Sequence, residues 1–398
     1  MNREDFPMLN QDIIYFDNGA TTFKPQVVID SIKDYYENYS ANAHRGDYDI
    51  SYKVDLKYED VREKVRSFIN AKEKEEIIFT SGTTMSLNLM VSSFFGKFLE
   101  KDDEVLITKT EHASNVLPWF DLANKIGIKV KYIDLDSNYH VTIDNVLKAI
   151  TPKTKVISLA YITNVIGDLR PIKEITKIAH EKNIFVCVDA AQAIAHTKID
   201  VQDLDIDFLA FSGHKMYGPT GVGVLYGKKE LLDEADAYML GGGMNESFDS
   251  EKEILLKSLP YKFEAGTQNI AGVIGLGAAI DYINKLDINK ISSYELNLRN
   301  YLISKLEKIN YIDIINYEAD SGIVSFNVVD IFSQDIAYYL NKYNICVRAG
   351  NHCAKLVKNV TGVTNSVRIS LAFYNTEEEI DEIVNLLSDY EKIRNEMI

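Results

Sequence analysis

The residues with most chemical promise are Ser212-Gly213-His214-Lys215, set between two apolar stretches. Asp207 to Phe211 runs into them and Thr220 to Tyr226 leaves them through glycines, so both read as strands. Taken alone, a lysine is a solvated surface charge. Here the neighbours argue otherwise. Upstream, Val186-Cys187-Val188-Asp189 reads as another buried strand ending in a carboxylate. The intervening length suits one crossover to a parallel strand beside the first. An amine and a carboxylate so placed are what pyridoxal phosphate needs. The amine condenses with its aldehyde, and the carboxylate keeps the pyridine nitrogen protonated so that the ring accepts electrons.

Three further groups gather around that pair. Ser81-Gly82-Thr83-Thr84 at a helix start offers free N–H groups and hydroxyls to an anion, although an ordinary threonine cap has the same form. Ser212 and His214 would complete a phosphate cup. His112 would stack on the cofactor ring and move protons, the alternative being a structural histidine. Gln192 would bond the ring's phenolic oxygen, or be a polar residue opening a helix.

A second cluster is Arg348-Ala349-Gly350-Asn351-His352-Cys353. Gly350 and Asn351 mark a turn, and Arg348 and His352 supply positive potential that favours a thiolate at Cys353. Cys187 and Cys346 lie in apolar strands and read as small buried hydrophobes. Arg368, also in an apolar strand, needs a partner. A substrate carboxylate would serve, and so would a salt bridge to an Asp or Glu.

The elements that must position these residues alternate along the chain. Strands are expected at 77–80, 105–107, 129–133, 156–162 and 184–189, with helices between, which implies a mostly parallel sheet covered on both faces. Asp189, His112, Thr83 and Lys215 fall at the carboxyl ends of strands, where such sheets bind ligands. A helix follows Pro25 with Val28, Ile29, Ile32, Tyr35 and Tyr36 inward, and another spans 54–69. Asn42 to Tyr48 reads as a loop. After about Gly277 the pattern changes to a smaller α+β unit. Its expected strands are 312–315, 323–328, 345–348 and 367–371, and a last helix starts behind Thr376. The expected domains are therefore 16–277 and 278–398, the latter completed by 1–15.

The composition narrows the class. The 398 residues suffice for two associated domains, and a net charge of −16 argues against nucleic acid and anionic membrane surfaces. No apolar run reaches a membrane span, and Met1 to Asp5 lack the character of a signal peptide. Three cysteines with neither disulfide nor zinc spacing suit a reducing cytoplasm, with no metal site.

In family order over nearly the whole chain, the motifs resemble the SufS-type cysteine desulfurases. These belong to the class V aminotransferase-like, fold-type I pyridoxal-phosphate enzymes. The matching stretches are Phe16 to Thr22, Ser81 to Thr84, Asp189 to Gln192, Ser212 to Lys215, Phe263 to Thr267, Arg348 to Cys353 and Val367 to Leu371. The resemblance implies an α/β fold with a mostly parallel, seven-stranded-type sheet and a smaller C-terminal α+β domain. It implies Lys215 as the cofactor's amine, Asp189 on the ring nitrogen, Gln192 on the phenolic oxygen and His112 stacked on the ring. Thr83, Thr84, Ser212 and His214 would hold the phosphate. Thr267 would reach the phosphate of a neighbouring subunit, hence a homodimer. Asn164 and Arg368 would hold the substrate, with Arg348 near the active Cys353. L-cysteine would become alanine and a persulfide on Cys353, passed to a SufE- or SufU-type acceptor for iron–sulfur cluster assembly. The alternatives are a selenocysteine lyase acting on L-selenocysteine, a class V aminotransferase with no use for Cys353, and a non-enzymatic scaffold. The chain departs from the family pattern at Tyr48, Met85, Gln334 and Asn351.

Overall fold

The structure, a computed structural model, describes residues 3–43 and 46–396. The terminal Met1 and Asn2, and His44 and Arg45 of the expected loop, lie outside the described residues.

Fifteen short strands build the described chain, and the central sheet takes seven of them. These are β2 (Ile77–Thr80), β3 (Glu104–Ile107), β4 (Lys129–Tyr132), β5 (Thr154–Ala160), β6 (Phe185–Asp189), β7 (Phe208–Ser212) and β8 (Gly223–Gly227). Their order is β2-β8-β7-β6-β5-β3-β4, with β8 alone reversed. The interior strands are buried on both faces, as continuous apolar runs require. One large core fills one side of the sheet, and a second, built on Phe94, Phe95 and Trp119, fills the other. Asp189 lies opposite Ala210 in the β6–β7 ladder, so the strand leading to Lys215 runs beside the one ending in Asp189.

A second, antiparallel sheet has the order β11-β12-β15-β14, from β11 (Ile312–Ile314), β12 (Ile323–Val328), β14 (Arg348–Gly350) and β15 (Ser366–Ser370). The strand expected over 345–348 divides. Its first part, β13 (Ile345–Cys346), pairs with β1 (Ile14–Tyr15) from the N-terminus, and its second pairs with β15. Strands β9 (Asn245–Phe248) and β10 (Ile254–Leu256) form an exposed hairpin.

Other boundaries move for identifiable reasons. A single helix, Ile270–Leu286, spans the boundary expected at 277, and the chain turns at Asp287, whose φ of +71° ends that helix before Ile288–Leu306 begins. Phe16 packs in the core of the second sheet, because β1 carries it there. In α1 (Gln26–Asn38) Val28 and Tyr35 face inward, but Ile29 and Tyr36 are exposed, since the buried stripe is narrower than the run of apolar residues. Helix α2 (Asp49–Phe68) starts one turn earlier than expected. The last long helix, Glu377–Leu387, begins with a capping box between Thr376 and Glu379. Among the described residues, no helix is long and apolar enough to cross a membrane.

Candidate active site

A cavity of about 190 Å³ opens at the carboxyl ends of the central strands. Thr83, Thr84, His112, Asn164, Asp189, Gln192, Ser212, His214, Lys215, Arg348 and Arg368 all line it, with Gly19, Ala20 and Ser114. Thr267 does not. It is exposed, beside Asn42.

Lys215 is placed by the turn after β7. Gly213 N–H bonds Val222 O at 2.9 Å, and a Cβ on Gly213 would sit 2.9 Å from Val222 Cγ1, so the close passage of the two segments needs a glycine. The carbonyl of His214 accepts from Thr22 N–H (3.0 Å) and from the hydroxyls of Thr21 and Thr22, both 3.2 Å, which straps the loop to the N-terminal segment. The ammonium of Lys215 has no hydrogen-bonding partner among the described residues. Burial lowers its pKa to about 8, with Asp189 opposing the shift and Arg368 and Arg348 adding to it.

Asp189 ends β6 with one carboxylate oxygen accepting Ala191 N–H at 2.9 Å. Burial raises its pKa to about 6. Gln192 donates to Gly19 O at 2.8 Å, and it stands in a turn, since no helix follows β6 directly. Ser212 Oγ accepts Thr83 N–H (2.8 Å) and bonds Thr83 Oγ1 (2.7 Å), closing the first turn of α3 (Thr83–Met90) against the lysine strand. His214 is held near pKa 4 by burial and by Lys215 and Lys24, so it is neutral at pH 7.

His112 follows β3. Its Nδ1 accepts Ser114 N–H at 3.1 Å, and burial, with Lys215, Arg348 and Arg368, lowers its pKa to about 4. Beneath it lies a network that the sequence did not reveal. Glu111 Oε2 accepts Asn115 Nδ2–H (2.9 Å) and Ala160 N–H (2.8 Å), and Arg170 bridges Glu111 to Asp168. All three side chains are buried. Their signal was faint, since Asp168 and Arg170 stand beside apolar residues as many core salt bridges do, and Glu111 lies in a polar stretch.

The cysteine turn sits at the edge of the cavity, where Arg348 and His352 belong to the lining and Cys353 does not. Asn164 Nδ2–H donates to His352 O (2.7 Å), and Ala113 N–H donates to Cys353 O (2.8 Å). His352 and Cys353 both take left-handed backbone, φ +51° and +58°. Cys353 is exposed, with an Arg348 Nη2 3.6 Å from its Sγ. The expected contribution of His352 fails. It is buried with Nε2 on Ser366, and burial and the two arginines push it to about 3, so it carries no charge and Arg348 is the cation in contact with the thiol, with Lys215 acting on it from further off. Cys187 is buried and Cys346 half-buried, and burial raises both thiols.

Arg368 has the salt bridge that was its alternative reading. It donates to Asp17 Oδ1 at 2.9 Å and to Asn164 O at 3.0 Å. Its Nε and the Oδ1 of Asn164 are nevertheless buried without partners. A buried donor and a buried acceptor left bare beside the cavity are costly. Pyridoxal phosphate also fits the chain's own groups. Lys215 has no partner, Asp189 is a buried carboxylate wanting a cation, and Gly82 at φ +149° lets the backbone pass Ser212 where a Cβ would lie 3.3 Å from its hydroxyl.

Known proteins match this architecture along most of the chain. The model of the family described as aminotransferase class-V matches residues 14–383. A probable cysteine desulfurase of Halalkalibacterium halodurans is 42% identical over 383 residues, 95% of this chain and 94% of its own. The solved cysteine desulfurase of Escherichia coli in its S-sulfonic acid form is 34% identical, with a TM-score of 0.92 over 100% of this chain and 98% of that one. The apo cysteine desulfurase of Thermococcus onnurineus is 36% identical, with a TM-score of 0.94 over 99% and 97%.

Proposed function

The chain belongs to the aminotransferase class-V family and is a pyridoxal-phosphate-dependent cysteine desulfurase, and from that premise we propose how its residues share the work. Bound in the cavity, pyridoxal phosphate supplies the electron sink that stabilises negative charge at the substrate's α-carbon. The phosphate is assigned to Thr83, Thr84, Ser212 and His214, whose neutral imidazole donates without competing for the charge. Asp189 would accept the ring nitrogen's N–H, Gln192 would bond the phenolic oxygen, and His112 would lie on the ring face.

L-cysteine enters with its carboxylate between Arg348 and Arg368, and beside Asn164, all of which line the cavity. Lys215, easily deprotonated at its lowered pKa, takes the α-proton at Nζ. Cys353 Sγ, beside Arg348, gives up its proton and attacks the substrate sulfur. The substrate's carbon–sulfur bond breaks as a sulfur–sulfur bond forms on Cys353. With protons restored, the three-carbon remainder leaves as L-alanine.

The observation that carries this assignment is the hydrogen bond from Ala113 N–H to Cys353 O, which ties the thiol's turn to the residue after His112 at the mouth of the lysine cavity. The test is release of alanine and sulfide from L-cysteine with a reductant, with persulfide sought on Cys353 by mass spectrometry. Persulfide on another cysteine would overturn the assignment.

Three finer readings accompany it. The exposed thiol suits transfer to an acceptor protein of SufE or SufU type for iron–sulfur cluster assembly. A homodimer would bring the exposed Thr267 to a partner's phosphate, and light scattering tests that. Free thiols and the absence of a spanning helix among the described residues suit the cytoplasm.

A further inference from the structure

Ser114 has no place in the chemistry assigned above, yet its hydroxyl lies between two residues that do. Ser114 Oγ is 2.7 Å from Thr84 Oγ1, in the first turn of α3, and 3.1 Å from His112 Nδ1. Its backbone N–H donates to the same Nδ1 at 3.1 Å. Because a backbone amide can only donate, Nδ1 is the bare nitrogen and Nε2 carries the proton. The hydroxyls form a two-membered chain that can point either way. With no anion at α3, Thr84 O–H donates to Ser114 and Ser114 O–H donates to Nδ1. An anion beside Thr84 draws the Thr84 proton to itself. Ser114 then turns its proton toward Thr84 Oγ1, and Nδ1 keeps only the amide.

We propose that Ser114 is a positioning residue that couples anion binding at the N-terminus of α3 to the hydrogen bonding of His112 Nδ1. It rests on the reading of Thr83 and Thr84 as part of an anion cup. Occupancy of the cup then sets how firmly the imidazole is held on the side away from its Nε2–H. Nε2 has no protein partner among the described residues, so its proton stays available to the cavity in both states. Burial keeps the ring neutral at pH 7, which the arrangement requires.

The experiment uses the full chain labelled with ¹⁵N-histidine, stripped of cofactor and titrated with inorganic phosphate. His112 is assigned by the signal lost in His112→Gln. Wild type should show His112 as the Nε2–H tautomer, and its Nδ1 resonance should move as phosphate saturates. In Ser114→Ala the Nδ1 shift should vanish and phosphate should bind about three- to ten-fold more weakly, the effect of one hydrogen bond. Ser114→Thr, which keeps a hydroxyl, should restore both, and all variants should melt as wild type does. A direct effect of phosphate on the ring would survive Ser114→Ala, so an unchanged Nδ1 shift in that variant overturns the proposal. So does a wild type whose His112 does not respond to phosphate. Coupling seen in a protein inactive on L-cysteine would instead leave this inference standing and overturn the desulfurase assignment of the residues.

Discussion

The wall that carries Asp189, Ser212 and Lys215 and the turn that carries Cys353 are held by different means. Residues of the wall stand at or just beyond the ends of β6 and β7, adjacent strands in a seven-stranded sheet, and the buried Glu111–Arg170–Asp168 cluster supports the neighbouring ends of β3 and β5. The turn exposes Asn351 and Cys353 around a buried His352 and hangs on a few bonds, from Asn164 to His352 O, from Ala113 to Cys353 O, and between His352 Nε2 and Ser366, with Cys353 N–H on Asn351 Oδ1 inside it. It also uses left-handed backbone at two residues that are not glycine, a conformation that costs energy. The difference matches the tasks. Taking a proton at a fixed carbon requires a fixed amine, whereas delivering sulfur requires a thiol that reaches both inward and outward.

Substitutions on the two sides should therefore fail differently. Lys215→Ala should have the largest effect, removing both tightly held cofactor absorbance after desalting and all sulfide release. Cys353→Ser should also reduce sulfide release to background while the absorbance stays as in wild type. Loss of cofactor in the serine variant would mean that turn and wall are not separate.

Stability should follow the same division. Arg170→Met leaves Glu111 and Asp168 buried without their cation and should cost roughly 3–5 kcal/mol in denaturant unfolding, as broken buried pairs do. A cost under about 1 kcal/mol would show that this cluster does not stiffen the wall.

A pH experiment sharpens the picture of the amine. Burial favours the neutral form of Lys215, so its uncharged fraction should rise through about pH 8, before that of the surface lysines. Competitive acetylation of cofactor-free protein, read by peptide mass spectrometry, should show that order, and a midpoint among the surface lysines would contradict it. Asn351→Ala should give the smallest change. Without its Oδ1 the turn loses one bond, and sulfide release should fall about two- to ten-fold with cofactor retention unchanged.

Much of this was legible beforehand because period and punctuation are local. Apolar runs ending in Asp189 and Ser212 announced buried parallel strands, and glycines at 213 and 221 announced the turn between β7 and β8. Local patterns did not reveal that 345–350 would serve two sheets, since that depends on β1 arriving from the other end of the chain. Nor did they reveal Ser114, whose role arises from a hydroxyl thirty residues upstream.

By itself the sequence determined which groups are present and which strand ends carry them, because continuous apolar runs and turn residues act over a few positions. Only the tertiary structure decided their electrical state and their partners. His352 looked like a source of charge beside Cys353 and is neutral, because desolvation and two arginines outweigh its affinity for a proton. Arg368 could be read as awaiting a substrate carboxylate or as half of a salt bridge, and it is paired with Asp17, yet its Nε stays buried and unmet. Burial and long-range pairing set both outcomes, and neither is a property of residues adjacent in the chain.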